Sequence, residues 1–160
     1  MKLSLVAVGR MKRGPESDLC ARFLDRLAKS ARPLGMDWSG VAELAEARAG
    51  SSDARKADEA DAILSRLPEG CAMIALDERG DALDSAAFAD LLARYRDEGT
   101  RHLALVIGGP DGLDDKVRQS ASATLALGRM TWPHQIVRIL LAEQLYRATT
   151  ILSGHPYHRA

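Results

Sequence analysis

Several chemistries are excluded by what the chain has little of. Aromatic residues make up 4% of its 160 residues, too few for the stacked-ring platforms on which single-strand binders hold successive bases. Its cysteines are Cys20 and Cys71 alone, too sparse and too far apart for a metal motif or a disulfide framework, so free thiols in a reducing cytosol are expected. The opening apolar run, residues 3–8, is far shorter than a signal-peptide core or a membrane span, and basic residues follow it. A cytoplasmic protein without membrane contact is the expectation. Neither G-x-G-x-x-G nor G-x-x-x-x-G-K-[ST] occurs, so a dinucleotide or nucleoside-triphosphate site of the usual design is not signalled.

Net charge is also missing, but only by cancellation. Residues 1–14 hold Lys2, Arg10, Lys12 and Arg13 with no acid, giving +4. Residues 116–160 hold Lys116, Arg118, Arg129, Arg138, Arg147 and Arg159 against Glu143 alone, giving +5, so residues 15–115 carry −9. Basic ends that met in space would make a positive surface on a neutral protein, which suits a polyanionic partner; a solvated charge bias is the plainer alternative.

What is present reads as one α/β domain over residues 1–160. The hydrophobic fraction is 46% and the charged fraction 28%, ordinary for a chain with a real core. Apolar runs at residues 2–9, 71–76, 102–107 and 125–127 read as strands, with another near 36–41. Helical spacing marks residues 15–32, 51–66, 85–95 and 113–120, with Ser52 and Ser85 as caps and Pro33 as a stop. Alternating strands and helices give a largely parallel sheet flanked by helices. A last helix opens at Pro133, with Thr131 or Trp132 as its cap, and is apolar around so much of its girth that it needs cover on more than one side. That cover is either the chain's own sheet or another subunit.

Ligands of open α/β sheets bind beyond the carboxyl ends of the strands. Three apolar strands here end in glycine-bearing loops: residues 76–80, 108–112 and 127–132. Glycine lets backbone approach a flat ligand closely, and three such loops on consecutive strands outweigh the plain-turn reading of each. The tail, His155-Pro156-Tyr157-His158-Arg159, lacks the Cys or acid that would complete a zinc set with His134, so no metal is expected. Its groups suit hydrogen bonding and stacking on a nucleotide, or proton transfer, against the alternative of a frayed end.

These segments carry a resemblance. Leu76-Asp77, the run V-I-G-G-P-D-G-L at 106–113, M-T-W-P-H-Q at 130–135, E-Q-L-Y-R-A at 143–148 and the terminal H-P-Y-H-R at 155–159 are similar to the ribosomal RNA large-subunit methyltransferase H family, small members of the SPOUT class. The likeness runs over essentially the whole chain. It implies a C-terminal trefoil knot in the α/β fold, a homodimer, and bound S-adenosylmethionine. The implied reaction is methylation of N3 of pseudouridine 1915 in 23S rRNA on the assembled ribosome. By position, the cofactor contacts would be Leu76, Gly108 and the run Leu127, Gly128, Arg129, Met130, Thr131 and Trp132, with no side-chain role for Arg129. Similar proteins usually carry a small hydroxyl residue where this chain has Gly128, which leaves only backbone contacts there.

A sulfonium methyl is already activated, so the protein must align donor and acceptor and help the base lose its N3 proton. His134 at the loop–helix junction and Tyr157 and His158 in the tail are the candidates for positioning RNA or moving that proton. Arg138, Arg147 and Arg159, with the basic loop at 10–13, are the candidates for phosphate contact. Rival readings are a SPOUT methyltransferase acting on tRNA or another rRNA site, a non-catalytic RNA-binding module, and, disfavoured by the missing phosphate loop, a nicotinamide oxidoreductase.

Overall fold

The structure, a computed structural model, describes residues 1–158. Its frame is a five-stranded sheet built from β1 (Lys2–Val8), β2 (Asp37–Leu44), β3 (Ala72–Ala82), β4 (His102–Ile107) and β5 (Ala123–Ala126), in the order β2-β1-β4-β3-β5. Every pairing in it is parallel. The helices are α1 (Pro15–Ala31), α2 (Ser52–Arg66), α3 (Ser85–Asp97), α4 (Asp115–Ser120) and α5 (His134–Leu152).

Alternation along the strands divides the core in two. Leu3, Leu5 and Ala7 of β1 face one way, with Ile74, Leu103 and Leu105, and are covered by α1, α3 and α5 through Leu27, Phe88, Leu92, Leu141 and Leu145. Val6, Val8, Met73, Ala75 and Val106 face the other way and are covered by α2 and α4 through Ala60, Ile63 and Val117. Burial on both faces is why these strands read as continuous apolar runs. Two faces of α5 are covered by its own chain: Leu141 and Leu145 lie in the sheet-facing core, while Ile139 and Ala142 pack with Cys20 of α1.

Three caps differ from the sequence reading. Ser51, not Ser52, caps α2 by accepting a bond from Ala54 N. Asp84, not Ser85, caps α3 through Ala87 N at 2.7 Å, which releases the Ser85 hydroxyl to donate to Gln144 Oε1 at 2.8 Å. Pro133 occupies the N-cap of α5 with no side-chain capping bond, so neither Thr131 nor Trp132 serves there.

The larger difference is in β3, which continues past Leu76 through the charged residues 77–82. Leu125 is paired with both Leu76 and Asp81, so β5 is flanked by two parts of the same strand. At Gly80 a Cβ would fall 2.5 Å from Leu125 N, backbone against backbone. Only glycine allows the crossing segment to lie so close.

Candidate active site

Two of the three expected loops, 108–112 and 127–132, converge on residues 76–79, which are strand rather than loop. The middle of β3, the end of β4 and the connection from β5 to α5 enclose a cleft of about 310 Å³ lined by Leu76, Asp77, Gly108, Asp111, Leu127, Gly128, Met130, Thr131, Trp132 and His134, among others. All the sequence-predicted cofactor positions line it except Arg129, which is exposed.

Each wall has a local reason for its shape. In the β4 loop, Gly112 N donates to Gly109 O at 3.0 Å, closing a tight turn in which Gly112 holds a φ of 84°. A Cβ on Gly108 would stand 3.0 Å from the Gly112 carbonyl carbon and from Leu113 Cδ2, so any side chain there would press on that turn. Gly128 opens the third loop at a φ of 119° with nothing within 4 Å of its absent side chain. Here glycine serves the backbone conformation rather than close packing.

Charged residues that the sequence did not single out brace these loops. Arg55 of α2 grips Asp111 with Nε–Oδ2 at 2.7 Å and Nη2–Oδ1 at 3.1 Å, and the guanidinium hydrogen bond holds the Asp111 carboxyl below its ordinary range. Arg118 of α4 bonds Asp77 Oδ2 at 3.1 Å, while Asp77 Oδ1 accepts from Arg79 N at 3.0 Å. Beneath Gly109 lies Glu59, 5% exposed, whose Oε1 accepts from Ala47 N at 3.0 Å. Burial pushes the Glu59 carboxyl up, and backbone N–H groups of Ala47 and Gly109 oppose that rise. No spacing pattern marks these residues, because their partners lie on other elements.

The cleft suits S-adenosylmethionine. Its volume is at the small end of ligand pockets; Leu76, Ile107, Leu113 and Leu127 give it apolar walls for a flat ring, and glycine backbone supplies the polar edge. Asp77, Glu78 and Asp111 lie among the lining residues together with Lys56, Arg79 and Arg118, so the cleft's charges balance. Met130 and Trp132, 73% and 41% exposed at the rim, are apolar surface that such a ligand would cover.

The tail lies elsewhere. Tyr157 donates its hydroxyl to Glu143 Oε1 at 3.0 Å, packs its ring at a 57° tilt against Tyr146 with centroids 4.8 Å apart, and sits under the Arg147 guanidinium at 5.0 Å. Burial, with the Glu143 hydrogen bond and charge, raises the Tyr157 hydroxyl above its usual range, so it stays protonated. His158 Nδ1 lies 3.4 Å from Arg147 Nη1, and Arg147 Nε bonds Glu143 Oε1 at 3.0 Å. Tail and His134 therefore share α5 but are separated along it: nine residues from His134 to Glu143 span roughly 13 Å. Arg159 lies outside the described residues.

Arg138 is a correction. Its side chain is buried, 2% exposed, with Nη1 on Glu43 Oε1 at 2.7 Å and Nη2 on the carbonyls of Val8, at 3.1 Å, and Gly9. Its donors face inward and no phosphate reaches them. The sign was available: Arg138 shares a helical stripe with Leu141, Leu145 and Thr149, all buried.

Among the described residues, no cluster of His, Cys, Asp and Glu is placed to hold a metal ion, and no helix is long and apolar enough to cross a membrane. Comparison with known proteins agrees with the geometry. Residues 1–158 match the family described as "Predicted SPOUT methyltransferase". The chain is 59% identical over 159 residues to a Rhizobium etli protein named "Ribosomal RNA large subunit methyltransferase H", covering 99% of each chain. It is 57% and 56% identical over 160 residues to proteins of the same name from Sinorhizobium medicae and Brucella anthropi, covering 100% of each. With glycine-lined loops gathered at the carboxyl ends of a parallel sheet and relatives of this kind along its full length, the chain belongs to the SPOUT methyltransferases, enzymes that use S-adenosylmethionine.

Proposed function

We propose that this protein methylates N3 of pseudouridine 1915 in 23S rRNA on the assembled ribosome, in the cytoplasm, as a homodimer of one-domain subunits. The observation that carries the reading is the cleft made by residues 76–79 of β3 with the 108–112 and 127–132 loops, in a chain whose relatives bear the name of a large-subunit rRNA methyltransferase. The pairing of Leu125 with two parts of β3 supports the knotted connection of the class.

S-adenosylmethionine brings an activated methyl group, and the chain's own residues supply alignment. Leu76, Gly108 and the 127–132 run, without the Arg129 side chain, hold the cofactor. His134, lining the same cleft, meets the acceptor base there. Tyr157 and His158 position the target nucleotide. They do so from the neighbouring subunit, because their own α5 keeps them near Glu143 and Arg147, at a distance from the cleft below it. A two-fold contact brings one subunit's tail to the other's cleft. Apolar surface for that contact is present in a second cleft of about 400 Å³ between α3 and α5, lined by Leu83, Phe88 and Leu140, with Leu83 41% exposed.

The test is incubation with methyl-labelled S-adenosylmethionine and ribosomes lacking the modification, followed by mapping of the labelled nucleotide. Label at N3 of the 23S pseudouridine is expected. Label in tRNA, at another rRNA position, or nowhere would replace this substrate assignment. Light scattering reads the dimer directly.

A further inference from the structure

The buried Arg138 has no part in the cleft or the tail, yet it occupies a costly position. A guanidinium taken from water loses several kcal/mol of hydration unless charged and polar partners replace it. Here they do so nearly completely: Glu43 on one side, the carbonyls of Val8 and Gly9 on the other, with only Nε lacking a partner.

The carbonyls belong to the exit of β1, and Glu43 to the end of the neighbouring β2. Past Val8 the chain leaves the sheet and enters the basic loop that ends at Gly14, and the loop is anchored at three points. Gly9 is tied through its carbonyl to Arg138, and its N donates to Leu44 O at 2.8 Å. Met11 N donates to Glu43 Oε1 at 2.9 Å, the same oxygen that Arg138 grips. Gly14 N donates to Ser17 Oγ at 3.1 Å. Between the anchors, Arg10, Lys12 and Arg13 are exposed. Position 9 is also beside the cleft, since a Cβ there would stand 3.6 Å from His134 Nε2.

We propose that Arg138 is a positioning residue for RNA: from inside the protein, with Glu43 as intermediary, it fixes the basic loop so that Arg10, Lys12 and Arg13 meet substrate phosphates at a set distance from the cleft. His134 and Arg138 are one helical turn apart on α5, so one helix start carries both the cleft residue and the loop's anchor. The proposal rests on the RNA-substrate reading above.

The experiment measures affinity for unmodified ribosomes as a function of salt, with methylation kinetics beside it. Removing one cation that pairs with a phosphate lowers the salt slope by about 1, so the Lys12→Ala/Arg13→Ala protein should lose about 2. Arg138→Met removes no exposed charge. It should nevertheless lower the slope by about 1 or more and raise KM for ribosomes about tenfold, with S-adenosylmethionine affinity unchanged. Added to the loop substitutions it should contribute little more, because both act on the same phosphate pairs. Glu43→Ala is the second variant: Arg138 keeps the carbonyls of Val8 and Gly9, so the chain should fold with reduced stability, which thermal unfolding checks before binding is measured. Simple electrostatics makes ribosome binding tighter when an acid is removed, whereas loss of positioning makes it weaker. Weaker binding with a reduced slope is expected. Tighter binding for Glu43→Ala, or a folded Arg138→Met with the wild-type slope, would overturn the proposal. If Lys12→Ala/Arg13→Ala itself leaves the slope intact, the loop does not touch RNA and the proposal falls, while methyl transfer to the ribosome still stands or fails on the mapping.

Discussion

At Gly108 an added side chain would meet the Gly112 backbone at 3.0 Å, before any branch is considered. Backbone cannot retreat as the end of a flexible side chain can, so Gly108→Val should push the 109–112 turn into the cleft. S-adenosylmethionine affinity should fall at least about tenfold, the equivalent of ~1.4 kcal/mol, while the core, built from other residues, keeps the protein folded. Calorimetry showing wild-type affinity in a folded variant would remove Gly108 from the cofactor site. Glu59, under the same loop, makes a pH prediction. Its folded pKa is raised by burial, so the folded chain holds that proton more tightly than the unfolded one. The cost of the buried charge is absent below the unfolded pKa and complete above the folded one. Glu59→Gln keeps an amide oxygen for Ala47 N and carries no charge. Its stability relative to the parent should therefore improve as pH climbs from the ordinary carboxylate range toward neutrality. Urea unfolding across that range, with a constant difference between the two proteins, would show that Glu59 is not desolvated as described.

For elements, what was legible depended on whether the deciding contacts were local. The apolar runs 2–9 and 102–107 became β1 and β4 within a residue, because both faces of each strand are covered and nearly every position past the first is buried. The caps were harder, since adjacent Ser51 and Ser52 carry the same hydroxyl and only backbone conformation separates them. Ser51 is extended, with φ −124° and ψ 156°, and caps, while Ser52 is already helical. Ser51→Ala should therefore cost about 1 kcal/mol and Ser52→Ala close to nothing, as thermal or urea unfolding will show; equal effects would contradict the assigned cap. Residues 77–82 gave no strand signal at all, being charged and glycine-bearing, because their pairing is tertiary: they lie beside β5 through Asp81–Leu125. Arg138 illustrates the same limit from the other side. Its charge argued for the surface, and only its place on a buried helical stripe argued against it.

At the scale of the whole molecule, the loops 108–112 and 127–132 were readable because each carries its own glycines, whereas the expected loop 76–80 is strand, its Gly80 serving the crossing with Leu125 and its residues 76–79 lining the cleft. The location of the tail was not readable, since nothing in H-P-Y-H-R says which surface receives it. Its docking on Glu143, Tyr146 and Arg147 sets a sharp test of subunit sharing. Deleting the residues after Pro156 should leave folding and cofactor binding intact and abolish methyl transfer, because Tyr157 and His158 no longer hold the acceptor near the sulfonium. Gly108→Val should be inactive for the opposite reason, with a sound tail and a closed cleft. If tail and cleft of one chain form one site, mixing the two inactive proteins and allowing their subunits to exchange restores nothing. If each site takes its tail from the neighbour, a mixed dimer pairs the sound cleft of the truncated chain with the sound tail of the Gly108→Val chain. Random exchange makes half the dimers mixed, each with one complete site of two, so activity on unmodified ribosomes should recover to about a quarter of the parent level. Recovery near zero, with mixed dimers shown to be present by differential tagging, would place the complete site within a single subunit and require the tail to leave Glu143 to reach it.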